Sequence, residues 1–178
     1  VAQAKEKPVH ALTVFVLNRL RHHDLVTEIR EAGARILLRP DGDVAGALMA
    51  ATPRSGVDVL MGIGGTPEGV IVACAVKALR GKILGRLAPQ SSDEREAILE
   101  AGLDLKQIFT GDEVVASEDV FFAATGITEG GLLDGIKFLR SGMTTHSLVL
   151  RGKTGTRRAI HTDHHRDWMS ALIQDGGG

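Results

Sequence analysis

One stretch constrains this chain more than any other: Asp58-Val-Leu-Met-Gly-Ile-Gly-Gly-Thr-Pro-Glu-Gly69, with the apolar residues that follow it. Residues 57–61, apolar except for Asp58, read as a buried strand. Gly62, Gly64 and Gly65 then make a turn of the kind glycine tolerates best. Thr66 suits a helix N-cap and Pro67 the first helical position. Glu68 falls in the first turn, where the helix dipole favours a carboxylate. Val70, Ile71, Cys74, Ala75 and Ala78 recur at helical spacing. A strand, a glycine turn and a capped helix in series gather free backbone N–H groups at one point. Such a point can hold phosphate. A carboxylate beside it can hold a metal ion that the phosphate also touches.

The remaining chain sets the frame for this stretch. Its 178 residues suit one domain or one large piece of one. With 21 basic and 22 acidic residues, it lacks the strongly basic surface of a bulk nucleic-acid binder. A lone cysteine, Cys74, excludes an intrachain disulfide and reads as a small core residue. This points to a cytoplasmic protein. No apolar run approaches a membrane span, and no signal peptide is visible. Aromatic residues are few, so the core rests on Val, Leu, Ile and Ala. The chain opens at Val1, which leaves a processed and a truncated product equally open.

Residues 1–10 read as a polar lead-in. Residues 12–17 are β-branched and apolar, an expected interior strand. Leu25, Ile29 and Ala32 share one face of a helix that stops at Gly33. Residues 35–38 form a second strand. A turn at 40–43 follows, with Asp43 placed to cap a helix carrying Val44, Ala47, Leu48 and Ala51. Residues 82–87 read as another strand. Ser91 and Glu94 make a capping box for a helix to Ala101. Beyond Gly102 the pattern changes. A strand at 119–124, a glycine-rich loop at 125–131 and a hairpin of 144–151 with 156–162 are expected. A last short helix around Trp168 and a poorly ordered tail over 166–178 end the chain.

Strand–helix alternation through Ala88 argues for a largely parallel sheet covered on both faces. Ligands bind such sheets beyond the C-terminal ends of the strands. Three polar turns fall there: 18–23, 39–43 and 62–68. Arg19 and Arg21 follow a strand directly, and the arginine fork suits phosphate; two solvated arginines opening a helix are the plain alternative. Asp41 and Asp43 either accept from sugar hydroxyls or, for Asp43, cap a helix. Glu68 is either a metal ligand or a dipole-stabilising residue.

Other site chemistries fit poorly. Pro67 stands where a dinucleotide fingerprint needs its third glycine, and 82–87 offers no acid for a ribose. There is no Walker lysine. Ser147 has no nucleophile elbow. His161, Asp163, His164 and His165 crowd together, but near a chain end solvated polar residues explain them better than a metal does. His146 reads as a core-edge residue rather than a phosphate contact.

Several stretches together resemble the later portion of the class II (GlpX-type) fructose-1,6-bisphosphatases: Asn18-Arg-Leu-Arg-His22, Glu31-Ala-Gly-Ala-Arg35, Asp41-Gly-Asp-Val44, Gly62-Ile-Gly-Gly-Thr-Pro-Glu-Gly69, Ala124-Thr-Gly-Ile-Thr128 and Thr144-Thr-His-Ser-Leu-Val149. The resemblance runs from the first residues to about Arg158. It implies an α/β fold, the layered sheet–helix sandwich of the lithium-sensitive sugar phosphatases, here without its N-terminal part. It implies hydrolysis of the 1-phosphate of fructose-1,6-bisphosphate, a gluconeogenic step, with Mg²⁺ or Mn²⁺ as cofactor. By the family pattern Glu68 is a metal ligand at the catalytic centre. Arg19, Leu20, Arg21, Asp41, Gly42, Asp43 and Gly65 bind the sugar bisphosphate. Some relatives also take sedoheptulose-1,7-bisphosphate.

This chain departs from the pattern in places. Asn18 and Leu20 replace an Asp and a Pro, although both arginines survive. Glu129 is followed by Gly130 and Gly131 where two acids usually flank a glycine. The Asp-Pro-x-Asp-Gly-Thr segment and its acidic metal ligands do not occur. Glu68 alone cannot hold a Mg²⁺ cluster. The expectation is therefore a substrate-binding portion, over residues 1–178, whose catalysis needs a missing N-terminal segment or a partner such as a homo-oligomer. The alternative is a non-catalytic sugar-phosphate-binding fragment.

Overall fold

The structure, a computed structural model, describes residues 1–166. The lead-in is not a plain coil. It folds into a short helix, α1 (Ala2–Lys5), and a 3₁₀ turn (Val9–Ala11). Strand β1 (Thr13–Leu17) follows, with Val14, Phe15 and Val16 all buried. Then come α2 (His23–Glu31), β2 (Arg35–Arg39), α3 (Asp43–Ala51), β3 (Val59–Leu60) and α4 (Thr66–Ala78). The three strands make a parallel sheet in the order β2-β1-β3, with Val14 opposite both Ile36 and Val59.

The period of two along β1 divides its side chains between two layers. Val14 and Val16 pack with Val26 and Ile29 of α2. Phe15 faces α3, where a Cβ on Gly46 would come within 2.5 Å of the ring. The sheet is thus covered on both faces, as the alternation of elements implied.

The alternation ends earlier than expected. Residues 82–87 do not extend the parallel sheet. Only β4 (Leu84–Gly85) forms there, and it pairs antiparallel with β5 (Phe109–Thr110) across the intervening α5 (Ser92–Glu100). A short apolar run carries no information about its partner, and a local antiparallel one was in reach. Ser91 caps α5 as expected, accepting from Glu94 N–H at 3.2 Å. A fuller capping box, between Thr110 and Glu113, opens α6 (Gly111–Val114) where only a turn was expected.

The second half builds an antiparallel sheet from β6 (Phe121–Thr125), β7 (Lys137–Leu139), β8 (Gly142–Arg151) and β9 (Thr156–His165). β8 is central. β9 runs along one edge for its full length, while β6 and β7 share the other edge. The hairpin β8–β9 turns at Gly155, whose φ is 62°. β7 is an unforeseen strand. The last helix expected around Trp168 and the tail from 167 onward lie outside the described residues. Arg166 itself is tied back by its N–H to Ser141 O at 2.9 Å.

Helices α3 and α4 join the two sheets. Ala47 of α3 clusters with Val72 and Val76 of α4. Leu48, Ala73, Ala75 and Ala78 pack with Phe122 of β6 and with Leu148 and Leu150 of β8. The buried stripe of α4 therefore runs through Val72, Ala73, Ala75, Val76 and Ala78. This corrects the expected face, because Val70 and Ile71 are exposed. Cys74 is half-buried against the same core.

Candidate functional site

The three polar turns meet. Arg21 Nε donates to Ile63 O at 2.9 Å, joining the turn after β1 to the glycine turn after β3. His22 joins them again from beneath. It is almost fully buried, and its Nδ1 lies 2.8 Å from Leu17 O while Ile63 N–H reaches its Nε2 at 2.8 Å. One assignment satisfies both bonds: a neutral ring with Nδ1–H donating to Leu17 O and Nε2 accepting from Ile63. The 3.3 Å approach of Nε2 to Ile63 O then needs no hydrogen bond. Sequence reasoning assigned His22 no task. Its signal was slight, a histidine beside the arginines with nothing to mark it as buried.

The turn after β2 arrives through Asp43. The expected capping role is corrected: Gly42, at φ 88°, is the N-cap, and Asp43 is the first helical residue. A left-handed φ favours glycine, and it turns the chain into α3 one residue early. Asp43 Oδ1 accepts from Val44 N–H at 2.9 Å. Its other oxygen, Oδ2, lies against Gly64, 3.5 Å from where a Cβ would stand.

The helix start after β3 also shifts by one. Gly65, not Thr66, is the N-cap of α4, with extended backbone and no side-chain acceptor. Thr66, Pro67 and Glu68 are the first three helical residues. The N–H groups of Thr66 and Glu68 receive no bond from within the helix. The Glu68 carboxylate lies over Gly65, and a Cβ there would collide with Glu68 Oε2.

The glycines of this turn serve a different purpose from the expected one. None of Gly62, Gly64 and Gly65 has a positive φ. They are small because a side chain stands against each: the His22 ring at 3.1 Å from a Cβ on Gly62, Asp43 against Gly64, and Glu68 against Gly65. Close approach, rather than backbone freedom, sets the glycine pattern.

Arg19, Leu20, Asp41 and Glu68 are exposed around this meeting point. Arg19 and Asp41 have no side-chain hydrogen bond or ion pair among the described residues. The rim thus carries two guanidinium groups, free helix N–H groups and three carboxylates. That donor set matches a phosphorylated sugar: cations and amides for phosphate, carboxylates for hydroxyls.

The metal expectation meets these residues only in part. No trio of ligand atoms that includes Glu68 closes within metal-binding range among the described residues. One trio does close elsewhere, formed by Asp134, His146 and His161. The sequence had set His146 at the core edge and left His161 to solvent.

A parallel and an antiparallel sheet joined by helices, with three polar turns meeting beyond the ends of the parallel strands, define a broad class, the mixed α/β proteins. The narrower assignment follows from comparison. The model of the bacterial fructose-1,6-bisphosphatase family, glpX-encoded, matches residues 1–164, and the chain belongs to that family. It is 38% identical to the D-fructose 1,6-bisphosphatase class 2/sedoheptulose 1,7-bisphosphatase of Synechococcus sp. (strain JA-3-3Ab), over 94% of this chain and 52% of that protein. It is also 38% identical to fructose-1,6-bisphosphatase 1 class 2 of Escherichia coli (strain K12), over 98% of this chain and 56% of that protein. The chain spans about half the length of these curated relatives. No helix among the described residues is long and apolar enough to cross a membrane.

Proposed function

We propose that this chain forms the sugar-bisphosphate site of a class II fructose-1,6-bisphosphatase, with Glu68 as one ligand of a catalytic metal. The convergence of the three turns carries the reading: Arg21 and His22 meet Ile63, 42 and 41 positions away in sequence, and Asp43 meets Gly64 at the same rim. Arg19 and Arg21 bind phosphate, with the Leu20 backbone between them. Asp41, Gly42 and Asp43 bind sugar hydroxyls. The amides at the start of α4, beside Gly65, face a second anionic group. Mg²⁺ or Mn²⁺, when bound, activates water and stabilises the phosphoryl oxygens. With Asp41 and Asp43 given to the sugar, the rim leaves that ion Glu68, so the remaining ligands come from an upstream segment or a second copy. The arrangement belongs to the layered sandwich of the lithium-sensitive phosphatases. Sedoheptulose-1,7-bisphosphate is a second substrate reading, supported by the name of the Synechococcus relative.

Phosphate release from fructose-1,6-bisphosphate with Mg²⁺ or Mn²⁺ tests this, for the chain alone and joined to an upstream family segment. Turnover only in the joined form is expected. Turnover by the chain alone refutes the dependence on further ligands. No turnover in either form, with fructose-1,6-bisphosphate still bound in calorimetry, leaves a non-catalytic sugar-phosphate-binding module.

A further inference from the structure

The antiparallel sheet carries a cluster that the bisphosphatase reading does not use. His146 of β8 stands directly opposite His161 of β9. Opposed residues share a sheet face, with Cβ atoms about 4.5–5.5 Å apart, so their rings meet. The two imidazoles stack with centroids 4.2 Å apart and planes 19° from parallel. The loop from β6 to β7 returns over this pair and delivers Asp134. One ligand atom of each of Asp134, His146 and His161 lies within 4.8 Å of the other two.

The surroundings hold this cluster in place. Gly126 N–H donates to His146 O at 2.9 Å, and Asp134 N–H donates to His146 Nδ1 at 3.1 Å. Gly135 N–H donates to Glu129 Oε2 at 3.2 Å, closing the loop on itself. Lys137 Nζ takes Asp134 Oδ2 at 3.2 Å, while Oδ1 lies 4.0 Å from His146 Nδ1. One carboxylate oxygen is therefore engaged and the other faces the imidazoles.

We propose that Asp134, His146 and His161 form a binding site for a transition-metal ion of the Zn²⁺ class. Two imidazoles and a carboxylate are a donor set such an ion takes at about 2.0–2.2 Å, with a fourth position left for water or an anion. Tetrahedral geometry at that length sets ligand atoms roughly 3.4 Å apart, so the cluster closes by up to about 1.4 Å on binding. The stacked rings are nearly parallel, so their in-plane lone pairs meet on one ion only after the exposed His161 ring swings out of the stack and the Asp134 amide releases His146 Nδ1. Mg²⁺, which demands oxygen ligands in an octahedron, is a poor occupant. The site is thus chemically separate from the carboxylate-based metal site proposed at Glu68.

Titration of the 178-residue chain with Co²⁺, read by visible d–d absorption, tests the site. One saturable equivalent is expected, displaced by Zn²⁺ and insensitive to Mg²⁺. His161→Ala and the near-isosteric Asp134→Asn, each checked for folding by circular dichroism, are expected to weaken binding at least about tenfold. Should His161→Ala misfold, Asp134→Asn decides. His23→Ala and Glu68→Ala are expected to titrate like the unaltered chain. Absence of a saturable signal overturns the site, and so does unaltered binding in folded Asp134→Asn. Loss of the signal in Glu68→Ala also overturns it, because the ion would then belong to the three turns.

Discussion

At the scale of single residues, Gly65 and His22 separate function from stability. A methyl group on Gly65 meets only the far end of a flexible side chain, Glu68 Oε2. Gly65→Ala is therefore expected to lower the urea midpoint only by the cost of an alanine N-cap, about 0.5–1 kcal/mol, while swinging Glu68 away from its place. On the proposed reading, the joined enzyme then loses metal-stimulated phosphate release. Full retention of activity at limiting Mn²⁺ would remove Glu68 from the metal site. His22 behaves in the opposite way. His22→Ala strips Leu17 O of its donor and Ile63 N–H of its acceptor in a buried place. Each orphaned group costs about 1–3 kcal/mol, so a loss on the order of 2–6 kcal/mol is expected in urea unfolding. A loss under 1 kcal/mol would mean that water replaces the ring. The three turns were legible in the sequence because polar residues and glycines collected at the ends of apolar strands. The reason for the glycines was not, since close approach depends on which distant side chain lies opposite. The His146–His161 pair was illegible for a similar reason: it exists only through strand register.

At the scale of elements, two contacts hold the parallel layer together. The first is the seating of α3. Ala is a better helix former than Gly by about 1 kcal/mol. On Gly46, however, its methyl would press on Phe15 and Leu60 at 2.5–2.8 Å, and both are packed in place. Overpacking of this kind costs about 1–3 kcal/mol. Gly46→Ala is expected to destabilise the chain in thermal melts despite its propensity gain, and Gly46→Val to do so more. A stabilised Gly46→Ala would show that α3 lifts off the sheet freely. The second contact is Asp58, which the sequence marked only as an exception within an apolar strand. It accepts from Thr13 N–H at 2.9 Å and from Lys7 at 2.7 Å, with Lys5 at 3.4 Å. The polar lead-in is thereby clamped to the start of β1, a long-range pairing that local pattern cannot reveal. The Lys7 ammonium and the Thr13 amide, with help from Lys5, hold the Asp58 carboxyl down at about 2. Its folded pKa lies below the unfolded value, so its stabilisation is complete above about pH 4 and disappears as pH falls toward 2. Both lysines are partly exposed, and solvent screening limits the effect to on the order of 1–2 kcal/mol. Asp58→Asn should therefore lower the urea midpoint at pH 6, with the difference shrinking through that acid window. A gap of constant size from pH 6 to pH 2.5 would assign the effect to packing instead.

At the scale of the whole molecule, the question is whether the two sheets are one folding unit. The sequence suited one domain, yet its pattern changes after Gly102. The core argues against a boundary. α4 gives its Val72 and Val76 side to α3, which lies on the parallel sheet, and its Ala73, Ala75 and Ala78 side to Phe122, Leu148 and Leu150 of the antiparallel sheet. Alanines at these positions let the helix sit close to β6 and β8, so neither layer can loosen without exposing the other. Lys77 adds a polar tie on the same helix, meeting Val115 O, Asp112 and Glu118 at 2.7–3.0 Å. Leu150→Ala removes one of the largest fully buried side chains, and a deletion of this kind costs about 2–5 kcal/mol. If the layers share one core, that loss is expected in full at amides of β1, which Leu150 does not touch, as well as at amides of β8. Native-state hydrogen exchange in the folded variant measures both. Protection lost equally in Val16 and Val149 amides confirms a single cooperative body that holds the three turns in register. Loss confined to the antiparallel sheet would make the parallel layer, with its meeting of turns, a separate unit that keeps the sugar-phosphate rim without β6–β9.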